Sequence, residues 1–352
     1  MKKKIAIIAL SIIAALLLIF IIATAVIRTM GKSRLKNNVV ESAPVIVTEE
    51  TTQAAPEEKE TWEEGWIKYK GRVMKYNENI TTFLFMGIDK NEEVKEVAEG
   101  TNGGQADALF LLVFNPDESH IDVIGINRNT MTDINIYNEY GDYVTTTKAQ
   151  ICVQHGFGNG VEESCEYQVE AVKKLMYNLP IHGYAAINMK AIPIINDAVG
   201  GVNVEALSDV KNGRGRKIIS KGDAVHLEGE DAFWYVKYRD VNDFASADLR
   251  LARQKQYLTT FVSQAKAQAK DNIGIVSELY NDLVPYMTTN VTFDEVAYLA
   301  PEVIGYTYDD SSFHMLEGET KMGEEFEEFY PNEEALYDMI INIFYEDVDI
   351  KN

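Results

Sequence analysis

The sequence has little of what metal clusters, thiol redox chemistry and nucleic-acid binding require. It contains only two cysteines and five histidines in 352 residues, and their spacing matches neither a C-x-x-C nor an H-x-x-x-H motif. A P-loop and a G-x-S-x-G nucleophile turn are also absent. The formal net charge of -22 argues against nucleic acid as a partner, because its phosphates bind surfaces rich in lysine and arginine.

The N-terminus predicts a membrane anchor. MKKK precedes an uninterrupted apolar run over residues 5–27, which is long enough to cross about 30 Å of hydrocarbon as a helix. A cleaved signal peptide is the alternative, since Ala23-Thr24-Ala25 resembles a cleavage site. The predicted organisation is a cytoplasmic tail (1–4), a transmembrane helix (5–27), an extracytoplasmic linker rich in Glu and Thr (28–67) and an extracytoplasmic domain (68–352).

Cys152 and Cys165 both follow the apolar run and would lie in an oxidising compartment in this topology. A disulfide between them is predicted. Two unrelated thiols are the alternative, because a sequence does not show the distance between two side chains.

A β-hairpin is predicted in the first half of the domain. Residues 108–114 and 121–126 are apolar runs that flank an Asn-Pro-Asp-Glu-Ser turn. In the antiparallel register that this turn sets, Asp107 lies opposite Arg128, and Asp89 reaches the same sheet edge if its strand neighbours the hairpin. Two carboxylates and an arginine suit a phosphate bridged by a divalent cation. A simple cross-strand ion pair is the alternative.

Residues 235–254 concentrate basic side chains in an otherwise acidic chain, which indicates an anion site. On a helix, Arg250, Arg253 and Gln254 share one face, predicted to look into a cleft while an apolar face packs. A solvated basic face paired with nearby aspartates is the alternative. By contrast, the glutamates at positions 324, 325, 327 and 328 are interpreted as surface.

The middle of the domain alternates between helices and strands. Residues 166–179 carry apolar side chains at helical spacing, residues 183–189 alternate as in a strand, and residues 192–198 suggest a short helix. The predicted fold class is α/β, with a mixed central sheet flanked by helices in an α-β-α sandwich.

Five segments resemble the LytR-CpsA-Psr proteins in order and spacing: FLFMGID (83–89), ADALFLLVFNP (106–116), IGINRNTMTDI (124–134), DAVGGVNV (197–204) and HLEGEDAFWYVKYRD to LRLARQ (226–254). The resemblance implies a membrane-anchored, Mg²⁺-dependent phosphotransferase. Such an enzyme moves a glycopolymer, for example teichoic acid or capsular polysaccharide, from a polyprenyl-pyrophosphate carrier onto peptidoglycan.

The resemblance also implies roles for particular residues. These are Mg²⁺ ligation by Asp89 and Asp107, catalytic pyrophosphate contacts by Arg128, Arg239 and Arg250, and substrate binding by Arg253, Gln254, Lys148 and Asn129.

The chain departs from the family pattern at three places. Asn127-Arg128-Asn129 replaces Pro-Arg-Asp, Lys148-Ala149-Gln150 replaces Lys/His-x-Asn, and Ala247 stands where an aspartate is usual, with Asp248 beside it. An amide at 129 is a poorer metal ligand than a carboxylate, so Asn129→Asp is expected to strengthen Mg²⁺ binding. A non-catalytic binder of polyprenyl-linked glycan, an envelope regulator and a pyrophosphatase stay open as alternatives.

Overall fold

The computed structural model describes residues 26–35, 65–97, 102–240, 242–244 and 246–348. Its strands are β1 (Trp66–Tyr69), β2 (Arg72–Tyr76), β3 (Thr81–Ile88), β4 (Ala106–Asn115), β5 (His120–Ile126), β6 (Met131–Tyr137), β7 (Tyr143–Gln150), β8 (Gly183–Asn188), β9 (Val202–Glu205), β10 (Val210–Lys211), β11 (Lys217–Ile219), β12 (Ala224–Leu227), β13 (Met287–Thr289), β14 (Phe313–Met315), β15 (Gly318–Met322), β16 (Glu327–Pro331) and β17 (Tyr345–Asp347). Its α-helices are α1 (26–35), α2 (Glu162–Leu175), α3 (Ala191–Ala198), α4 (Gly229–Lys237), α5 (Ser246–Asp271), α6 (Gly274–Leu283), α7 (Phe293–Val303) and α8 (Glu333–Phe344), and a 3₁₀ helix covers Ile151–Phe157.

A mixed six-stranded sheet forms the centre of the fold, with strand order β13-β8-β3-β4-β5-β14. The β3–β8 and β5–β14 pairs are parallel, and the other three pairs are antiparallel. This arrangement confirms the prediction of a mixed α/β fold.

The predicted hairpin register is confirmed. Leu109 pairs with Ile126 and Asn115 pairs with His120, which is the alignment that brings Asp107 opposite Arg128. Strand β3 pairs antiparallel with β4, and Ile88 lies beside Ala106. Asp89, the next residue, therefore reaches the edge where Asp107 and Arg128 lie.

The two faces of the sheet pack differently because side chains alternate along each strand. Leu109 and Leu111 of β4 belong to a core cluster that includes Val172 of α2 and Phe344 of α8. Phe110, on the other face, packs with a smaller cluster that includes Leu251 of α5 and Phe313 of β14. The face that carries Phe110 also lines an apolar cavity.

Helix α1 packs on α7. Arg28 pairs with Glu302 at 2.8 Å and Arg34 pairs with Asp294 at 2.9 Å. Gly31 is needed at this crossing, because a Cβ there would collide with the carbonyl group of Asp294.

The predicted transmembrane span 5–27 lies outside the described residues, apart from the first two residues of α1. Over the residues that the structure describes, no helix is long and apolar enough to cross a bilayer.

Candidate functional site

Asp107 holds two arginines at the edge of the sheet. Its Oδ1 lies 2.9 Å from Nε of Arg128, and its Oδ2 accepts a hydrogen bond from Nη1 of Arg250 at 3.2 Å. The Arg128 contact is an ion pair rather than an aligned hydrogen bond, since the Nε atom finds no hydrogen-bond partner within the described ranges. One carboxylate thus orients the guanidinium group of Arg128, two residues beyond β5, and that of Arg250 on α5.

Arg128 is enclosed by further polar groups. Its Nη2 donates to Oε1 of Gln105 and to Sγ of Cys152, the latter at 3.0 Å. Burial acts to lower the pKa of Arg128, but Cys152 and the carboxylates of Asp107 and Asp89 outweigh burial and raise the pKa overall. The guanidinium therefore stays charged and able to hold an anion.

Asp89 is fixed at the same edge. Its Oδ1 accepts a hydrogen bond from the backbone N–H of Gln105 at 2.7 Å. The carboxylate is exposed, so its other oxygen can face a ligand. The predicted meeting of Asp89, Asp107 and Arg128 is thus present in the fold.

Arg250 and Arg239 complete the positive charge of the site. The Arg250 side chain is only 6% exposed, and burial lowers its pKa, with Asp107 acting to raise it and the positive charges of Arg128 and Arg239 acting to lower it. Arg239, just beyond α4, donates from Nη2 to Oε2 of Glu327 at 2.7 Å and from Nε to Oγ of Ser246 at 3.0 Å. Three arginines from separate parts of the chain are therefore close enough for the charges of Arg128 and Arg239 to act on Arg250.

The carboxylates at the sheet edge fit a divalent cation that also binds phosphate. Among the residues that the structure describes, no group of three or more His, Cys, Asp or Glu side chains forms an all-protein cage. Mg²⁺ typically takes one or two carboxylates and completes its shell with phosphate oxygens and water. Asp89 offers one such carboxylate, and Asp107 offers a second whose two oxygens also contact Arg128 and Arg250.

An apolar cavity begins at this charged site. It has a volume of about 390 Å³ and lies between the sheet and helices α3, α5 and α6. Asp107, Lys237 and Arg250 are the charged residues of its wall, and the remaining wall residues are mainly apolar and aromatic. A second apolar cavity of about 270 Å³ lies under α7 and shares four lining residues with the first, namely Phe85, Leu112, Phe114 and Val303.

Most of the chain matches a known protein family. The model of the LytR_cpsA_psr family matches residues 45–342 of this chain. The chain belongs to the LytR-CpsA-Psr family. This confirms the family indicated by the five sequence segments.

Named relatives and solved structures agree with the family. Polyisoprenyl-teichoic acid--peptidoglycan teichoic acid transferase TagU of Bacillus cereus is 26% identical over 218 residues, and the match covers 61% of this chain and 62% of the relative. The crystal structure of TagV of B. subtilis superposes with a TM-score of 0.58 at 21% identity, covering 76% of this chain and 96% of TagV. A structure described as TagT bound to LI-WTA gives a TM-score of 0.54 at 20% identity, covering 76% and 90%. At these identities the structural matches establish the fold alone.

Two of the predicted substrate-binding residues of this LytR-CpsA-Psr protein, Arg253 and Gln254, hydrogen-bond to backbone carbonyls at the C-terminal end of α4, and their role in substrate binding stays a prediction. Arg253 is buried and donates to the backbone carbonyls of Tyr235, at 2.9 Å, and Tyr238, and burial lowers its pKa to about 10. Gln254 donates to the carbonyl of Val236 at 3.1 Å and lines the cavity. The residues of the predicted basic face therefore have different partners. Arg250 contacts Asp107, whereas Arg253 hydrogen-bonds α5 to the C-terminal end of α4.

Lys148 is not part of the cluster. It lies on β7 with its side chain 71% exposed and 3.7 Å from Asp133 on the neighbouring strand. Its role in substrate binding stays a prediction.

Sequence reasoning missed Glu327. The acidic run predicts a surface position for Glu327, yet its side chain is 5% exposed and pairs with Arg239. Along β16, Glu327 and Phe329 are buried whereas Tyr330 is exposed. A run of glutamates does not show this alternation, so the sequence gives no sign that Glu327 is buried. Asn129 lies beside Glu327, with its Nδ2 donating to Oε2 at 3.4 Å.

The predicted disulfide is wrong. Cys152 and Cys165 are both free and buried, and each thiol packs against a different partner. Cys152 Sγ contacts Arg128, whereas Cys165 Sγ lies 3.8 Å from Nε2 of His155. Burial raises the pKa of Cys152 to about 11 and raises that of Cys165 as well, so both are protonated thiols at neutral pH.

Alkylation of the denatured protein should therefore modify both cysteines. We expect denatured, non-reduced protein to gain two alkyl groups by intact-mass measurement, and a reduced sample to gain the same two. Uptake only after reduction would show that Cys152 and Cys165 are bonded.

Proposed function

We propose that this protein transfers a glycopolymer from a polyprenyl-pyrophosphate carrier to peptidoglycan. The observation behind this proposal is that Asp107 and Arg250 belong both to the charged cluster and to the wall of an apolar cavity. A molecule with an apolar chain and a pyrophosphate has the same two parts. The TagU relative, a polyisoprenyl-teichoic acid--peptidoglycan teichoic acid transferase, supports this substrate class.

The guanidinium groups would stabilise charge during phosphoryl transfer. An acceptor sugar hydroxyl attacks the phosphorus that carries the glycan, and the bond from that phosphorus to the bridging oxygen breaks. The products are a glycan joined to the acceptor by a phosphodiester and a polyprenyl phosphate that keeps the bridging oxygen, while the hydroxyl proton passes to solvent or to the leaving phosphate. Arg128, Arg239 and Arg250 supply charge and planar donors for the oxygens involved.

Asp89 and Asp107 are the residues that would hold Mg²⁺, which when bound neutralises charge on the pyrophosphate oxygens. Asp107 has a second function in this proposal. Because it pairs with Arg128 and Arg250, it presets the angle between their guanidinium planes before the substrate arrives.

The proposal places the domain on the extracytoplasmic face of the cell membrane, anchored by one transmembrane helix over residues 5–27. The apolar run and the lysines before it support this location. A lipid-linked substrate lies in the same bilayer, and no nucleic-acid partner is part of the proposal.

The test is product analysis with the full-length chain in detergent. A synthetic polyprenyl-pyrophosphoryl glycan and a soluble peptidoglycan fragment are supplied with and without Mg²⁺, and products are identified by mass spectrometry. A phosphodiester-linked glycan on the acceptor, together with polyprenyl phosphate, supports the transferase. Glycan phosphate without acceptor linkage would identify a pyrophosphatase, and bound but unconverted lipid would identify a non-catalytic binder.

Narrowing the cavity should weaken use of long lipids. Ala108 lines the cavity from β4, so Ala108→Leu adds three carbons to its wall. We expect KM for a long polyprenyl substrate to rise by roughly tenfold, since about two buried methylene groups of lipid would lose their place.

A short-chain substrate that leaves most of the cavity empty should be affected much less. Ala267→Leu, on an exposed position of α5, is the control and should leave both KM values unchanged. Equal KM values for the Ala108→Leu variant and the unaltered protein with the long lipid would show that the tail binds elsewhere.

A further inference from the structure

Glu327 is a buried carboxylate in the middle of a polar network drawn from four parts of the chain. Its Oε2 accepts from Nη2 of Arg239 at 2.7 Å and from Nδ2 of Asn129 at 3.4 Å. Gln150, at the end of β7, donates from Nε2 to Oδ1 of Asn129 at 3.2 Å and to the backbone carbonyl of Glu327 at 2.6 Å. The side chain of residue 129 is therefore in contact with the carboxylate that holds Arg239.

Backbone contacts hold strand β16 against residues 129 and 130. The N–H of Phe329 donates to the carbonyl of Asn129 at 2.9 Å, and Thr130 forms a parallel bridge with Phe329. Glu327 is two residues before this bridge, so its position relative to Arg239 is set by main-chain hydrogen bonds as well as by its own ion pair. Such support from main-chain bonds is typical of a positioning side chain.

The charges of the site divide into two sets. Asp107 serves Arg128 and Arg250, whereas Arg239 has Glu327. A carboxylate at position 129 would face Oε2 of Glu327 across the present 3.4 Å contact, and two carboxylates at that distance repel each other. An amide avoids this repulsion and donates a hydrogen bond instead.

We propose that Glu327 is the positioning residue that orients Arg239 toward the substrate pyrophosphate, and that it supplies the negative charge that residue 129 lacks. The inference rests on the proposed transferase function and deepens it. It also changes the expectation for Asn129→Asp, which would now place a second carboxylate beside the first.

Four proteins test the assignment: the unaltered chain, Glu327→Gln, Asn129→Asp, and the double variant. Turnover is measured with the polyprenyl-pyrophosphoryl glycan, and each protein is checked for folding by its unfolding midpoint. We expect kcat to fall on the order of 100-fold in Glu327→Gln, because Arg239 loses a charged, oriented partner. In Asn129→Asp we expect a fall of about tenfold from repulsion between the two carboxylates.

The double variant carries the informative result. It again has one carboxylate and one amide, with their positions exchanged, so we expect it to exceed Glu327→Gln in kcat by at least about tenfold. Glu325→Gln, an exposed neighbour, should match the unaltered chain. A double variant at or below the product of the two single losses would overturn the proposal, because a merely structural glutamate gives no such recovery.

Failure of the proposed function is separable from failure of this inference. An unaltered chain that converts no lipid-linked glycan overturns the transferase. The affinity of the same four proteins for inorganic pyrophosphate then decides the role of Glu327, with weakened binding in Glu327→Gln and recovery in the double variant as the expected result. Equal affinity in all four would overturn the role of Glu327.

Discussion

Asp107→Asn is expected to lower kcat by roughly 100- to 1,000-fold, the range found when one preset charge-stabilising group is lost from an active site. The side chain keeps its size, but it no longer neutralises Arg128 and Arg250. Both arginines would then lose the carboxylate that fixes the angle between their guanidinium planes, and the proposed Mg²⁺ site would lose one of its two carboxylates.

The same substitution should also reduce stability. Arg250 is almost fully buried and depends on Asp107 for its counter-charge, and removing one partner of such a pair costs about 3 kcal/mol in the free energy of unfolding. A carboxylate at an open sheet edge would contribute little to the free energy of unfolding. The structure shows instead that Asp107 has a buried partner, so a loss of stability is expected.

Steady-state turnover and urea unfolding on the same preparation check both effects. Asp209→Asn is a suitable control, since Asp209 is half exposed and pairs with Lys217 at the surface. Near-normal turnover in the folded fraction of Asp107→Asn would remove Asp107 from the catalytic site.

Arg250→Lys and Arg239→Lys are each expected to lower kcat by about 100-fold, although both keep the positive charge. A lysine is a single point charge and cannot present two parallel N–H groups to a phosphate. The lysine of Arg250→Lys would also be too short to keep the contact with Asp107. In Arg239→Lys, a single ammonium group would have to hydrogen-bond to both Ser246 and Glu327.

Turnover measured alongside the unfolding midpoint separates the loss of catalysis from the loss of folding. Arg216→Lys, at an exposed turn, should behave as the unaltered protein. Full activity in both lysine variants would mean that the site uses general electrostatic attraction rather than planar recognition.

Local pattern was sufficient for the parts of the site built on neighbouring strands. The Pro-Asp turn sets the β4–β5 register, and an antiparallel register fixes which residues face each other over the whole hairpin. The meeting of Asp107 and Arg128 is therefore predictable from the spacing of the two apolar runs. The helical spacing of Arg250 and Arg253 also predicts that they lie on one helix. It does not predict that Arg253 donates to the carbonyls of Tyr235 and Tyr238.

Local pattern does not predict contacts between side chains that are far apart in the sequence. Arg253 and Arg250 are equally basic and adjacent on one helix face, yet one meets the carbonyls at the end of α4 and the other meets Asp107. Periodicity gives the direction of a side chain from its helix and carries no information about which element packs there. The predicted disulfide between Cys152 and Cys165 is wrong for the same reason, since their spacing in the sequence does not show which elements pack around each thiol.

By itself, the sequence determined the family, the mixed α/β class and the hairpin that joins Asp107 to Arg128, because these depend on residue order and on contacts between neighbouring strands. Only the tertiary structure decided that Glu327 is buried against Arg239, that Arg253 supports α4, and that an apolar cavity opens beside the arginines. Burial and long-range pairing result from how whole elements pack, so a glutamate in an acidic run and a glutamate that orients an arginine look the same until β16 is placed beside β6.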